Sequence, residues 1–130
     1  MSSESPALAD ARRRGDPYLL YLDASGRERV LSMPDSWNRV TVGRGVASDV
    51  SLSWDAAVST VHATLERLGD DWVLIDEGLS RNGSFVNGDP VAGRRRLIDG
   101  DELRFGDTRV GFNAPFQVSD KTQISERPDL

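Results

Sequence analysis

The segment HATLERLGDDWVLID at residues 62–76 decides the fold class. In its first half, Ala63 and Leu65 fall on one face of an extended chain, and polar side chains fall on the other. The centre of the segment has the composition of a hairpin turn, in which Gly69 supplies a positive φ. In the second half, DWVLID, apolar residues occupy both faces, which is typical of a central strand. The segment predicts a β-hairpin inside a sheet.

The same alternation of short apolar runs and turns extends along the chain. Between residues 69 and 111 glycines recur five to nine positions apart, which leaves room for short strands but rarely for helices. Asn87-Gly88 is a second hairpin turn. The other clear strand segments are YLLYLD, RVTVGR, DVSLSW, SFVNG, DELRFG and TRVGFN. Many short strands with glycine-rich turns predict an all-β sandwich or barrel.

Composition excludes several classes of function. The 130 residues include 21 acidic and 16 basic side chains, a net charge of −5, which argues against direct nucleic-acid binding. The absence of cysteine excludes disulfides and cysteine-based metal sites, and a single histidine excludes sites built on several histidines. We therefore expect no metal and no cofactor. The longest apolar run, Tyr18–Leu22, is far shorter than the roughly 20 residues that span a bilayer. No signal peptide opens the chain, so the expected location is cytoplasmic, away from membranes.

The chain divides into one domain and two tails. Residues 1–16 are small, polar and charged and are predicted to form a disordered N-terminal tail. Residues 17–114 carry the strand pattern and form the predicted domain. Residues 115–130 lack a pattern and are predicted to be a C-terminal tail or linker.

Three predicted loops hold more polar chemistry than a turn requires. They are residues 43–45, which contain Arg44, residues 59–62, which contain Ser59, and residues 80–84. A guanidinium can bind two phosphate oxygens side by side, and hydroxyls and glycine N–H groups can satisfy the remaining lone pairs. If these loops converge, they form an anion-binding site.

Six motifs follow one another along the chain: VTVGR, SDVSL, VSTVH, DWVLID, SRNGSFVNG and LIDGDELRFG. Together, in this order, they resemble the forkhead-associated (FHA) domain family. The resemblance covers roughly residues 18–114 and rests on several separate motifs. It implies a β-sandwich of two sheets with about eleven strands. It also implies a module that binds phosphothreonine-containing proteins in Ser/Thr protein kinase pathways and catalyses no reaction.

The resemblance also implies roles for individual residues. Arg44 and Ser59 would contact the phosphate, and Asn82 would bind the peptide backbone. His62 would hold the loops in place without touching the ligand. Gly43 and Gly83 would serve loop geometry.

Two further positions depart from the family pattern and are still assigned to phosphate binding. Thr60 stands where the family often has arginine, which would weaken contacts beside the phosphate. Arg81 stands where threonine or serine is common, and it would restore positive charge.

Other interpretations have weaker support. A hydrolase built from Ser59, His62 and Asp76 lacks the Gly-x-Ser-x-Gly nucleophile motif. A phosphate-independent sandwich that binds partners through a sheet face would not need the loop arginines. The linker-like residues 115–130 leave open that the chain is the phosphothreonine-binding part of a longer transcriptional regulator. Thr122 is the only threonine in either tail, so its phosphorylation would offer a ligand in cis. The runs 12–14 and 94–96, all arginine, are expected to be solvated. The acidic residues between 99 and 102 lack the ligand spacing of an EF-hand and are expected to form a turn.

Overall fold

A computed structural model describes residues 6–78 and 80–115. It contains one helix and eleven strands, whose bounds are α1 Pro6–Arg14, β1 Tyr18–Leu22, β2 Glu28–Ser32, β3 Arg39–Gly43, β4 Val50–Ser51, β5 Ala63–Leu68, β6 Asp71–Asp76, β7 Ser84–Val86, β8 Asp89–Pro90, β9 Gly93–Arg96, β10 Glu102–Phe105 and β11 Thr108–Asn113. The all-β prediction is confirmed. The strands β2, β8 and β9 were not identified from the sequence, and the predicted strand DVSLSW is reduced to the two residues of β4.

The strands form two sheets that pack face to face. The first sheet has six strands in the order β2-β1-β11-β10-β7-β8, and the second has five in the order β4-β3-β5-β6-β9. All pairs are antiparallel except β3 with β4, which are parallel. The prediction of a two-sheet sandwich with about eleven strands is therefore confirmed.

The hairpin that predicted the fold lies in the second sheet. β5 pairs with β6 in the register Leu65 to Leu74, and the turn between them contains Gly69 at φ 66°. β6 pairs on its other side with β9, so it is an interior strand with apolar side chains buried on both faces, as predicted. The second predicted hairpin turn also forms, with Asn87 at φ 51° and Gly88 at φ 88° between β7 and β8.

The core lies between the sheets. Ala63 and Leu65 face inward from β5, opposite the inward residues of the first sheet. The predicted inward residues of the last hairpin are all buried: Leu103, Phe105, Val110 and Phe112. Burial of each such side chain contributes about 1.5–3 kcal/mol, and this rigid core fixes the loops at the ends of the sandwich.

The N-terminal segment differs from the prediction. Residues 6–14 form α1, whereas disorder was predicted for residues 1–16, of which 1–5 lie outside the described residues. Leu8 and Ala11 share one helix face and are buried in a small cluster with Tyr18, and Gly15 ends the helix at φ 77°. A helix of this length is marginal in isolation, so packing against the sheet stabilises it, which composition alone does not reveal. Residues 116–130, including Thr122, lie outside the described residues.

The two arginine runs, residues 12–14 and 94–96, were expected to be solvated, and all of these side chains except the half-buried Arg95 are exposed. Arg13 and Arg14 are exposed on the last turn of α1 and form ion pairs with Asp10. Residues 94–96 lie on β9, where Arg96 forms an ion pair with Asp71.

The acidic residues near position 100 form a turn, as expected. Asp101 accepts hydrogen bonds from the backbone N–H of Ile98 and from Asn87 Nδ2, and Asp99 accepts one from Ala114 N. Among residues 6–78 and 80–115, no group of three His, Asp or Glu side chains is placed to hold a metal ion. In the same ranges no helix has the length and apolar character needed to cross a membrane.

Candidate functional site

Three loops meet at one end of the sandwich and enclose a polar cavity of about 250 Å³. The loops follow β3, β4 and β6. The lining residues are Arg44, Ala56, Ala57, Val58, Ser59, Thr60, Arg81 and Asn82. The structure thus brings together all five residues that the sequence assigned to phosphate or peptide contact, and we call this space the Arg44 cavity.

The Arg44 cavity carries unneutralised positive charge. Arg44 and Arg81 are exposed, and neither guanidinium forms a hydrogen bond or an ion pair within the described part of the chain. Both guanidiniums line the same cavity, so their positive charges add there although the chain as a whole has a net charge of −5. Because a guanidinium fork matches the oxygens of a phosphate or carboxylate, the cavity is suited to an anion.

Ser59 connects the three loops. Its backbone carbonyl accepts a hydrogen bond from Arg44 N at 2.9 Å, and its Oγ accepts one from Arg81 N at 2.9 Å. An oxygen that accepts from the protein retains its own proton to donate. The Ser59 hydroxyl is therefore positioned to donate to an anion, beside the exposed hydroxyl-bearing residue Thr60.

His62 is buried beneath the cavity and links two of the loops. Its Nδ1 lies 3.0 Å from Ser59 N, and its Nε2 lies 2.9 Å from the Gly83 carbonyl oxygen. Since Gly83 O can only accept, Nε2 carries the proton and Nδ1 accepts from Ser59 N–H. The ring also packs edge-on against Phe105, with centroids 5.7 Å apart. Through these contacts His62 joins the loops of Ser59 and Gly83, and the role that the resemblance implied, support of the loops without contact to the ligand, stays a prediction.

The hydrogen bonds of His62 are not the ones that a serine hydrolase would need. Both ring nitrogens of His62 bond to backbone groups, so neither is available to Ser59 Oγ. Asp76 accepts from Ser80 Oγ and Ser84 Oγ. The chain of hydrogen bonds from serine through histidine to aspartate, which such catalysis needs, is not formed.

Asn82 lies at the rim of the Arg44 cavity and is partly engaged. Its Nδ2 donates to the Ala57 carbonyl at 2.8 Å, which joins the loop after β6 to the loop after β4. Its Oδ1 forms no hydrogen bond within residues 6–78 and 80–115. This oxygen is free to accept an N–H from an extended peptide.

Asp76 organises the loop that carries Arg81 and Asn82. Its buried carboxylate accepts hydrogen bonds from Ser80 Oγ at 2.6 Å, Ser84 Oγ at 2.7 Å and Gly78 N at 3.1 Å. Burial by itself raises the pKa of this carboxyl, but the hydrogen bonds outweigh it and hold the pKa below the ordinary 3.8. The ionised form is therefore the one that the folded loop stabilises.

We expect Asp76 to make the protein acid-sensitive. A folded-state pKa below the unfolded value means that the ionised carboxylate stabilises the fold above the unfolded pKa, and that this contribution is lost as the pH falls through the folded pKa. The melting temperature of the wild-type protein should fall from about pH 5 downward, and Asp76→Asn should melt lower at pH 7 with a flatter acid limb. Calorimetry of both proteins between pH 7 and pH 2.5 measures this. Parallel acid limbs would show that Asp76 is not a source of the acid sensitivity.

Gly43 allows the loops to approach closely. A Cβ at this position would lie 2.2 Å from the backbone oxygen of Thr60, whereas a Cβ at Gly45 would lie no closer than 3.5 Å to any atom. Gly43 directly precedes Arg44 and Gly45 directly follows it, so alanine substitutions at the two positions can be compared as a matched pair.

We expect Gly43→Ala to lower the free energy of unfolding by about 1–3 kcal/mol, because the loop of Thr60 must move away. Anion binding in the cavity should weaken with it. Gly45→Ala should leave both properties within about 0.5 kcal/mol of wild type. Urea unfolding of the three proteins measures the difference. Equal stability of the two alanine variants would contradict the close approach.

The sequence interpretation missed some residues that shape the site. Asp76 appeared there only as a possible catalytic residue, and Asp55 was not singled out. Asp55 is buried and accepts hydrogen bonds from Ala57 N, Asp107 N and Thr108 Oγ1. A signal was present for Asp76, since an aspartate at the end of a strand followed by glycine and serine often caps its own turn. Two of the three partners of Asp55, Asp107 and Thr108, lie 52 and 53 positions away, which no local pattern reveals.

Comparison with known proteins relates this geometry to a family. The sequence model of the FHA domain matches residues 40–106. The oxoglutarate dehydrogenase inhibitor of Corynebacterium jeikeium (strain K411) is 40% identical over 70 residues, which are 54% of this chain and 46% of that protein. The matched part thus spans about half the length of this curated relative.

Solved structures share the sandwich. A structure from an analysis of phosphothreonine-dependent FHA domain interactions is 31% identical with a TM-score of 0.62, over 75% of this chain and 95% of that chain. Mycobacterium tuberculosis EmbR in complex with a low-affinity phosphopeptide is 28% identical with a TM-score of 0.61, over 75% of this chain and 24% of that chain.

The family match covers more than half of the chain, and it includes Arg44, Ser59, His62 and Asn82. The resemblance inferred from the motifs is therefore confirmed, and the chain belongs to the FHA domain family.

Proposed function

We propose that residues 17–114 form a module that binds a phosphothreonine-containing segment of a partner protein in the Arg44 cavity. The observation that carries the proposal is the pair of guanidiniums of Arg44 and Arg81, which have no partner among the described residues and lie beside the hydroxyl of Ser59. A phosphate carries a charge of about −1.5 to −2 at pH 7 and three acceptor oxygens, which these groups can match.

Each cavity residue has a role in this proposal. Arg44 is the main phosphate ligand, Ser59 and Thr60 donate hydroxyl hydrogen bonds, and Arg81 adds a second cation. Asn82 holds the peptide backbone through Oδ1, which is free of other hydrogen bonds among the described residues. Gly43, His62 and Gly83 fix the loops, since His62 joins Ser59 to Gly83.

The similar proteins support this choice of ligand. One similar structure comes from phosphothreonine-dependent FHA interactions, and another contains a phosphopeptide. FHA domains are recognised as binding modules, and we propose that this chain likewise catalyses no reaction. It would act in the cytoplasm, where Ser/Thr protein kinases supply the phosphorylated partner.

An oriented phosphothreonine peptide library tests the proposal. The wild-type protein should select phosphorylated peptides, and Arg13→Ala should select the same peptides, because Arg13 lies on α1 and lines no part of the cavity. Because Arg13→Ala removes one arginine charge outside the cavity, it shows whether a change in net charge alone alters the selection of peptides. A folded protein that selects no phosphorylated peptide would contradict the proposal.

A further inference from the structure

A second concave surface lies on the outer face of the first sheet, away from the core. It is a groove of about 510 Å³ whose apolar part consists of Leu20, Leu22 and Trp54, with Gly111 in the sheet beneath them. We call it the Trp54 groove. In the sheet, Leu20 of β1 lies opposite Gly111 of β11, which has no side chain to fill the groove. Leu22 lies opposite Glu28 of β2, which places a carboxylate beside it.

Two apolar side chains of this groove, Leu22 and Trp54, are left exposed by residues 6–78 and 80–115. Elsewhere on the same face α1 covers the sheet, because Leu8 and Ala11 pack with Tyr18 and the neighbouring Leu20. Beyond the helix the apolar surface continues, since Leu22 is 58% exposed and Trp54 is 38% exposed. Both side chains line the same groove, and apolar surface exposed in a groove commonly marks an interaction site.

The rim of the Trp54 groove is acidic. Glu28, Glu102 and Asp107 line it together with a single cation, Arg109. None of the three carboxylates forms an ion pair within residues 6–78 and 80–115. The charge is therefore opposite to that of the Arg44 cavity.

Glu28 adds a more specific observation. Its Oε1 is buried and has no hydrogen-bond partner among the residues that the structure describes. A buried carboxylate oxygen without a donor is costly, so a cation placed against this side chain by a ligand would offset a penalty that the free protein carries.

We propose that the Trp54 groove docks a segment of a partner protein in which an arginine or lysine stands next to an aliphatic residue. The cation would pair with Glu28, and the aliphatic side chain would pack on Trp54 and Leu22. The same rim would repel a phosphorylated or acidic segment, so this ligand class differs from that of the Arg44 cavity.

The Trp54 groove is connected to the Arg44 cavity through one buried carboxylate. Asp55 follows Trp54 directly and accepts hydrogen bonds from Ala57 N on the cavity side and Asp107 N on the groove side. A partner that carries a phosphothreonine and a basic apolar segment could therefore engage both surfaces of one domain, with the gain in affinity that two linked contacts give.

The test titrates the peptide acetyl-Gly-Leu-Arg-Leu-Gly-amide into the full chain and follows the indole N–H signals by NMR. We expect the signal of Trp54, assigned by Trp54→Phe, to shift with a dissociation constant on the order of 1 mM. Replacing the peptide's arginine by citrulline, which keeps the shape but removes the charge, should weaken binding at least about fivefold.

Two protein variants locate the contact. Glu28→Gln keeps the shape of the side chain and should weaken binding at least about fivefold, whereas Glu66→Gln on the other sheet should not weaken it. Gly111→Leu should abolish the shift by filling the groove, because Gly111 lies in a strand and a Cβ there meets nothing closer than 3.7 Å. Arg44→Ala should bind the arginine peptide like wild type, which separates this proposal from the one for the phosphate site.

Several outcomes would overturn the proposal. The first is that the Trp54 signal does not shift at 10 mM peptide, a concentration about tenfold above the expected dissociation constant. The second is equal binding of the citrulline peptide, and the third is unchanged binding by Gly111→Leu. Concentration-dependent dimerisation that Trp54→Ala abolishes would also overturn it, because the groove would then be covered by a second copy of the chain.

Discussion

Arg44→Ala should bind a phosphothreonine peptide roughly 30- to 1000-fold more weakly than the wild-type protein, a loss of about 2–4 kcal/mol. Arg44 lies in the cavity with no carboxylate partner among the described residues, so its charge is available to the ligand. A partly desolvated, charge-assisted contact is stronger than a surface ion pair, and its removal leaves the phosphate unmatched. Calorimetric titration of one peptide into both proteins measures the loss.

Two variants serve as controls for this effect. Arg44→Lys should recover only part of the affinity, because lysine keeps the charge but lacks the two-pronged fork. Arg13→Ala, which removes an exposed arginine on α1, should bind like wild type. Wild-type affinity in a folded Arg44→Ala protein would refute the assignment of Arg44 as the phosphate ligand.

His62→Ala should lose stability and binding together. The substitution removes the hydrogen bonds to Ser59 and Gly83 and leaves a cavity beside Phe105. We expect the free energy of unfolding to fall by about 2–4 kcal/mol. Peptide affinity should fall as well, because the two loops that carry Ser59 and Asn82 lose their common support. Thermal melting and peptide titration of the same preparation measure both effects.

Ser59→Ala is the matched comparison for His62→Ala. It removes one hydroxyl that accepts from Arg81 N and lines the cavity, so it should weaken binding with little change in melting temperature. If His62→Ala melted like wild type and yet lost binding, His62 would contact the ligand directly, and its role as a loop support would be wrong.

The fold could be predicted from the sequence because its information is local. The alternation in β5, the two-faced apolar run in β6 and the glycine at φ 66° between them all lie within residues 62–76. The missed strands show the limit of this reasoning. β9 contains Gly93 and three arginines, and it forms because β6 offers it backbone partners. The missed helix α1 likewise depends on the sheet surface against which Leu8 packs.

The candidate site was predictable in its residues but not in its hydrogen bonds. Loops 43–45, 59–62 and 80–84 stood out because they carry arginine, hydroxyl and amide groups beside strand ends. The contacts between loops join residues that are distant in sequence, as in His62 with Gly83 and Asn82 with Ala57. These contacts depend on tertiary packing, so local patterns could not provide them.

The most direct measurement for the central claim is calorimetric titration of one library-selected peptide in its phosphothreonine, phosphoserine and unphosphorylated forms. The account predicts micromolar binding of the phosphothreonine form, about −7 to −9 kcal/mol, weaker binding of the phosphoserine form and no measurable binding of the plain form. Equal affinity for the phosphorylated and plain peptides would contradict it, because the free guanidiniums of Arg44 and Arg81 would then have no part in recognition.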